Sequence, residues 1–332
     1  MSRTIPVIRA AAIFPMLIWL RRNGRPVNQR LAAADLAHLS LDDPMQVIPL
    51  YCAAALFREM ARAEGPDIGL RVVTESSVAE LALLGKVALG ARTPREALTR
   101  VAAAMPWHCS HEHMRLTSQD GDLTVIDGWT VELDSETLHV IHQHVAALIA
   151  ELGRLADGRP QVLERIEIVP HPLMGLTHLQ PRFGDRVVAA RNRALTVHMA
   201  AAVADRPFPQ TARDRSGPAT MAGLKPLHGT DGIAPAARDI IAAMLEGGQP
   251  TVERLAFAAG MSLRSLQRRL AAEGTSYSGL LEMVRREQAL RRIAAGDASL
   301  GAVSANLGFA RQSALTRAVR RWTGRPPSAL RR

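Results

Sequence analysis

Two short stretches carry side chains suited to recognising a polyanion. In the first, residues 262 to 274, Arg264, Gln267 and Arg268 stand among leucines spaced three and four apart, with Arg269 beside them. In the second, Arg311, Gln312, Ser313, Thr316 and Arg317 precede Arg320 and Arg321. A guanidinium is a planar, permanently charged fork. It matches a phosphate, or the O6 and N7 edge of guanine, through two parallel hydrogen bonds, and a glutamine amide can do the same for adenine. Acids do not balance these arginines. Residues 1–210 contain 22 basic and 22 acidic residues, whereas residues 211–332 contain 19 and 9, so the whole net charge of +10 sits in the last third. An excess confined to one segment implies a polyanionic partner for that segment.

The elements that must position these groups are helices. Leu263, Leu266 and Leu270 predict one buried stripe, which turns the arginines outward. A short helix over "TVERLAFA" and a tight turn at "AGMS" precede the first stretch. The same order recurs at "SLGAVSANLGFARQSALTRAVRRWTG". Ala256 with Gly260 and Ser304 with Gly308 keep one offset, 48 residues apart, so the pattern is an internal duplication of a helix-turn-helix. The small residue lets the second helix cross closely, and glycine supplies a positive φ in the turn. Between the units, "SYSGLLEMVRREQALRRIAAG" predicts a linking helix of about 20 residues, hence ~30 Å of rise. Successive major grooves on one side of a duplex lie ~34 Å apart. The outward faces of the two second helices carry Arg264, Gln267, Arg268, Arg311, Gln312, Ser313, Thr316 and Arg317, expected at base edges, and the remaining Arg269, Arg320 and Arg321 are expected at phosphates.

Residues 236–330 resemble the DNA-binding domain of the AraC/XylS family of bacterial transcription regulators. "SLRSLQRRLAAEGTSYSGLL" is similar to its first reading helix and the entry to its linking helix. Leu307, Gly308, Phe309, Arg321, Trp322, Gly324 and Pro327 fit its C-terminal signature. Ser304 stands where the family usually has Ala, and Leu315 and Val319 where it favours Phe. These are changes on the buried face, not on the outward one. The N-terminal part resembles the arabinose-binding-domain-like effector domain of the ornithine-responsive and VirS-type branch, through "GPDIGLRV", "TPREAL" and "LQPRFGDRVVAARNRALTV". The resemblance implies a non-enzymatic regulator with double-stranded DNA as partner, a small-molecule effector of unknown identity, RNA polymerase as partner if it activates, and a homodimer formed through the N-terminal domain.

The chain, 332 residues, 47% hydrophobic and 22% charged, suffices for two domains with normal cores. The fold class expected is an α+β effector or oligomerisation domain over 1–205, a linker over 206–234 rich in Pro, Gly, Thr and Asp, and an all-α domain with two helix-turn-helix motifs over 235–332. Helices are expected at about 5–22, 28–38 and 45–63, a hairpin turning at Asp120-Gly121, and a long helix from an Asp134 or Ser135 cap to Gly158. The apolar run 10–20 is too short to span a bilayer and contains Pro15, so it reads as a buried helix. Two cysteines, Cys52 and Cys109, fit a reducing cytoplasm, with no membrane association. "WHCSHEHM" places His108, Cys109, His111 and His113 close in sequence. On a strand, Cys109, His111 and His113 would share a face, a possible zinc site and the basis of an alternative metal-sensing reading. No CxxC or HExxH accompanies them, so half-buried strand histidines and no metal or cofactor are expected. No nucleophile elbow or phosphate loop appears, and scattered groups such as Glu112 and His113 give no positive case for an enzyme domain fused to the DNA-binding module. An apolar pocket with a few polar groups is expected inside the α+β domain.

Overall fold

The computed structural model describes residues 4–209, 224, 226–227, 232–246, 250–296 and 298–330. The chain forms two units. The N-terminal one opens with strand β1 (Val7–Arg9), a 3-10 turn and helix α1 (Phe14–Arg22), in which Met16, Leu17 and Leu20 are buried. The apolar run is thus a core element, but the helix expected from residue 5 starts at Phe14. The β-branched Val7 and Ile8 instead pair with strand β2 (Val47–Pro49), and extended pairing suits such side chains. The second expected helix is α2 (Val27–Ala33), shorter than 28–38 because Asp35 takes a φ of 60. The third is β2 followed by α3 (Leu50–Glu64). Its Pro49 sits in an extended conformation and lacks the N–H that would continue a helix backwards.

Short helices α4 (Ile68–Arg71), α5 (Ser77–Glu80) and α6 (Leu83–Leu89) lead to α7 (Pro94–His108), capped by Thr93. Strands β3 (Glu112–Gln119) and β4 (Asp122–Trp129) form the expected hairpin. Asp120 and Gly121 both have positive φ, 52 and 91, which suits a two-residue turn matched to the strand twist. Helix α8 (Ser135–Asp157) is capped by the Asp134 carboxylate, which accepts from the Thr137 N–H, and closes on Gly158 in the left-handed region. Strand β5 (Arg165–Ile168), helix α9 (Gln180–Phe183), strands β6 (Val187–Ala189) and β7 (Leu195–Met199), and helix α10 (Ala201–Ala204) complete the unit. The five-stranded sheet runs β3-β4-β7-β5-β6, antiparallel except for β5–β6. Helix α8 packs across β5 and β7 and against α3 and α4.

Among the described residues, the C-terminal unit is helical. It comprises α11 (Ala234–Glu246), α12 (Val252–Ala258), α13 (Leu263–Ala272), α14 (Tyr277–Ala295), α15 (Leu300–Asn306) and α16 (Gln312–Thr323), then a 3-10 turn over Pro327–Leu330. Hydroxyls of Thr251, Ser262, Ser276 and Ser299 cap four of these helices, each cap contributing ~1 kcal/mol. Most of the expected linker 206–234, and the helix stop expected at Gly247, lie outside the described residues.

Candidate functional site

The duplication is visible in the backbone. In the first repeat Gly260 has φ +62, and the Met261 N–H donates to the Ala256 carbonyl at 2.9 Å. In the second, Gly308 has φ +67, and the Phe309 N–H donates to the Ser304 carbonyl at 3.0 Å. Ala256 and Ser304 are both buried. The same hydrogen bond at the same offset sets the same crossing of α12 with α13 and of α15 with α16.

Both second helices bury one apolar side and expose the rest. In α13, Leu266 and Leu270 are fully buried while Arg264, Gln267 and Arg268 are exposed. Leu263, expected in the buried stripe, is 38% exposed. As the first residue of the helix it lies ahead of the packed turns. In α16, Leu315, Ala318 and Val319 are buried, and Gln312, Ser313 and Arg317 are exposed. Arg311 is the residue before the helix. The Thr316 hydroxyl is half-buried and donates to the Gln312 carbonyl. Among the described residues, Arg264, Arg268, Arg311, Arg317 and Arg320 have no carboxylate partner, so their forks are open to a ligand. Arg321 differs. It donates to Glu282 at 2.6 Å, and the same oxygen accepts from the Trp322 indole.

Leu315 and Val319, with Ile293, Val303 and Leu307, form the small core beneath the second repeat, and Phe309 and Trp322 pack at its edge. The two positions where larger residues were expected are therefore filled by aliphatic packing. Ser304 is less well served, because among the described residues its buried hydroxyl oxygen has no hydrogen-bond partner. A buried unsatisfied polar group costs ~1–3 kcal/mol. Ser304→Ala is thus expected to raise the unfolding free energy of this unit by about 1 kcal/mol or more, read as a higher denaturation midpoint. A midpoint lowered by the alanine would contradict this reading of the site.

Sequence patterns did not single out Arg285, which fixes the second turn. It lies half-buried on α14, donates to the carbonyls of Leu307 and Gly308 at 2.9 and 3.1 Å, and stacks on Phe309 at 5.1 Å. Only its burial separates it from Arg286, its exposed neighbour. Glu273 likewise accepts from the Ile233 and Ala234 N–H groups, capping α11. Both residues hold the reading helices' supports rather than a ligand.

The N-terminal unit encloses an apolar cavity of about 110 Å³ between α3, α6, α7, α8 and the inner face of the hairpin. One ordered water needs ~10–15 Å³ by the same measure, so the space is far larger than a packing fault. Leu50, Phe57, Leu84, Leu98, Met114 and Leu148 are typical of its wall, and its polar members are His108, Glu112, Trp129 and His144. Burial drives the His108 and His144 pKa values down to about 4, so both rings are neutral at pH 7.

The histidine-rich segment is not a continuous strand. His108 ends α7, because Leu98, Val101, Met105 and His108 continue one buried helical face. Cys109 pairs with Ile8 in an isolated bridge, and the strand begins only at Glu112. Cys109 is buried, with its thiol pKa pushed well up by desolvation, and His111 Nδ1 is hydrogen-bonded to Ser110. His113 faces outward. The three therefore do not share one exposed face, and among the described residues no group of three or more such side chains could hold a metal ion. His139, His142 and His144 are buried in α8. His139 bonds the Val169 carbonyl at 2.7 Å through Nδ1 and His178 at 2.8 Å through Nε2.

This arrangement of a mixed N-terminal unit and a duplicated helix-turn-helix defines a class of DNA-binding regulator. Residues 24–208, more than half of the chain, match the family described as the arabinose-binding domain of AraC transcription regulators, N-terminal, and residues 255–332 match a helix-turn-helix domain family. The chain belongs to the AraC family of transcription regulators. It is similar to the HTH-type transcriptional regulator VirS of Mycobacterium tuberculosis, at 43% identity over 88 residues, 26% of each chain. That alignment thus spans about a quarter of the relative's length. An uncharacterised HTH-type transcriptional regulator of the same species is 28% identical over 93% of this chain and 92% of its own. The ornithine utilization regulator of Pseudomonas aeruginosa is 38% identical over 26% of this chain and 25% of its own. The crystal structure of the regulator CdpR from Pseudomonas aeruginosa aligns over 92% of this chain and 96% of its own, at 19% identity and a TM-score of 0.40. No helix among the described residues is long and apolar enough to cross a membrane.

Proposed function

We propose that this regulator reads a bacterial promoter or operator through α13 and α16, with Arg264, Gln267, Arg268, Arg311, Gln312, Ser313, Thr316 and Arg317 at base edges. Arg269, Arg320 and Arg321 hold phosphates, Arg321 by giving up an exposed pair with Glu282 that is worth little in water. The observation that carries this reading is the repeated crossing, which presents open guanidinium forks on two helices tied by one 19-residue helix, ~28 Å long. The N-terminal domain, proposed as 1–205, binds a small effector in its cavity and pairs with a second copy. The linker, proposed as 206–234, carries the coupling to the DNA-binding domain, proposed as 235–332. Such coupling is reciprocal, so operator DNA and effector must change each other's affinity. The protein is cytoplasmic, catalyses no reaction, and contacts RNA polymerase where it activates. The test is selection of duplexes by the full chain from a random pool. An enriched motif supports the reading, and a pool that never departs from random contradicts it.

A further inference from the structure

The hairpin places an unusual pair of groups on the inner wall of the cavity. Side chains alternate along a strand, and on β3 the inward set is Glu112, Met114 and Leu116, while His113, Arg115 and Thr117 face out. Glu112 thus occupies a position where its strand neighbours are apolar. Directly across the ladder is Trp129, and Met114 stands across from Asp127. Glu112 and Trp129 therefore share one face, side by side, and both line the cavity. On the same strand face Asp127 is fully buried, and among the described residues neither of its oxygens has a hydrogen-bond donor. The Glu112 carboxyl is its neighbour, and two carboxyls can bond only by sharing a proton.

Among the described residues no lysine or arginine lines this cavity; the Arg9 guanidinium, which helps depress the His108 pKa, donates to the Trp107 and Met45 carbonyls, and His108 and His144 are neutral there. A carboxyl pair in an apolar chamber without a cation lacks its natural counter-charge. An incoming anion would find no cation on the wall to balance it. An ammonium group would meet the Glu112 carboxyl on one side and the Trp129 indole, the ring type with the strongest cation–π attraction, on the other. Apart from the neutral His108 and His144 rings, the rest of the wall is hydrocarbon, which favours an apolar body.

Resting on the effector-binding reading above, we propose that the cavity takes a slender apolar molecule ending in one primary amine, with the ammonium seated between Glu112 and Trp129. Burial holds the Glu112 carboxyl pKa near 7 and that of Asp127 above its usual range. The empty site therefore keeps protons that an arriving ammonium displaces.

The test titrates the full-length protein by calorimetry with n-octylamine, n-octanol and octanoate, three probes of equal chain length that differ only at the head. The proposal expects the amine to bind at least tenfold more tightly than the acid or the alcohol. It also expects Glu112→Gln, which keeps the shape and removes the charge, to abolish that preference. Octanoate or octanol binding as well as the amine would overturn it, as would an amine preference unchanged in the glutamine variant. Should that variant fail to fold, the head-group series on the unaltered chain decides alone. DNA selection by the same preparation is scored separately. A chain that selects DNA but prefers another head group, or binds none of the three, sinks the amine assignment and leaves the regulator intact, whereas loss of DNA selection strikes the regulator reading itself.

Discussion

Replacing Arg268 or Arg317 with alanine is expected to cost about 1–3 kcal/mol on the selected duplex, a loss of roughly five- to two-hundredfold in affinity, and far less on random DNA. Each lies on the exposed side of its helix, without a carboxylate partner among the described residues. A guanidinium that loses a base edge loses two aligned hydrogen bonds, and no nearby group replaces them. Arg320→Ala should behave differently. A phosphate contact carries no sequence information, so its removal weakens specific and random DNA alike and lowers the salt dependence by about one counterion. Competition binding with selected and scrambled duplexes at two salt concentrations separates the two patterns. Equal losses for all three variants on both duplexes would contradict the division into base readers and anchors.

The second large effect concerns acid. His108, His139, His142 and His144 are all buried, with pKa values lowered to about 4, 4, 3 and 4 by desolvation, His142 also by His139 and Arg193. The unfolded chain titrates its histidines near 6.5, so between pH 6.5 and about 4 it binds protons that the fold refuses. Stability must therefore be full above pH 7 and fall as pH drops through that window. Each pKa unit is worth ~1.4 kcal/mol, so four such groups approach the whole ~5–15 kcal/mol of a domain near pH 5. The carboxyls of Glu112 and Asp127 act in the opposite sense. Their raised values favour the protonated fold as pH falls from about 7, but two groups offset only part of four. Thermal unfolding of the full chain at pH 7.5 and pH 5 is expected to show the N-terminal transition moving sharply down at the lower pH. A transition that stays put would mean that these rings are hydrated or paired in solution.

What the sequence disclosed follows from how local each signal is. The helix-turn-helix pair was legible because its requirements, a small residue, a glycine and a leucine stripe, fall within a dozen residues and occur twice. The hairpin at Asp120-Gly121 and the caps of α8 were legible for the same reason. Helix starts near residues 5 and 45 were not, because β1 and β2 pair with each other across some forty residues. The segment around His108 misled because its apolar spacing continues α7 while its composition suggests a strand. Arg285 and the Glu112–Trp129 face were hidden for a related reason. One depends on which of two adjacent arginines is covered, the other on a cross-strand register.

The central claim is that both helices of the duplication read one duplex. It is tested most directly by mapping guanine N7 protection on the selected DNA bound by the full chain. The account predicts two protected clusters in successive major grooves of one face, about one helical turn apart, the one lost in Arg268→Ala and the other in Arg317→Ala. Protection confined to a single groove, or unaltered by either substitution, would contradict it.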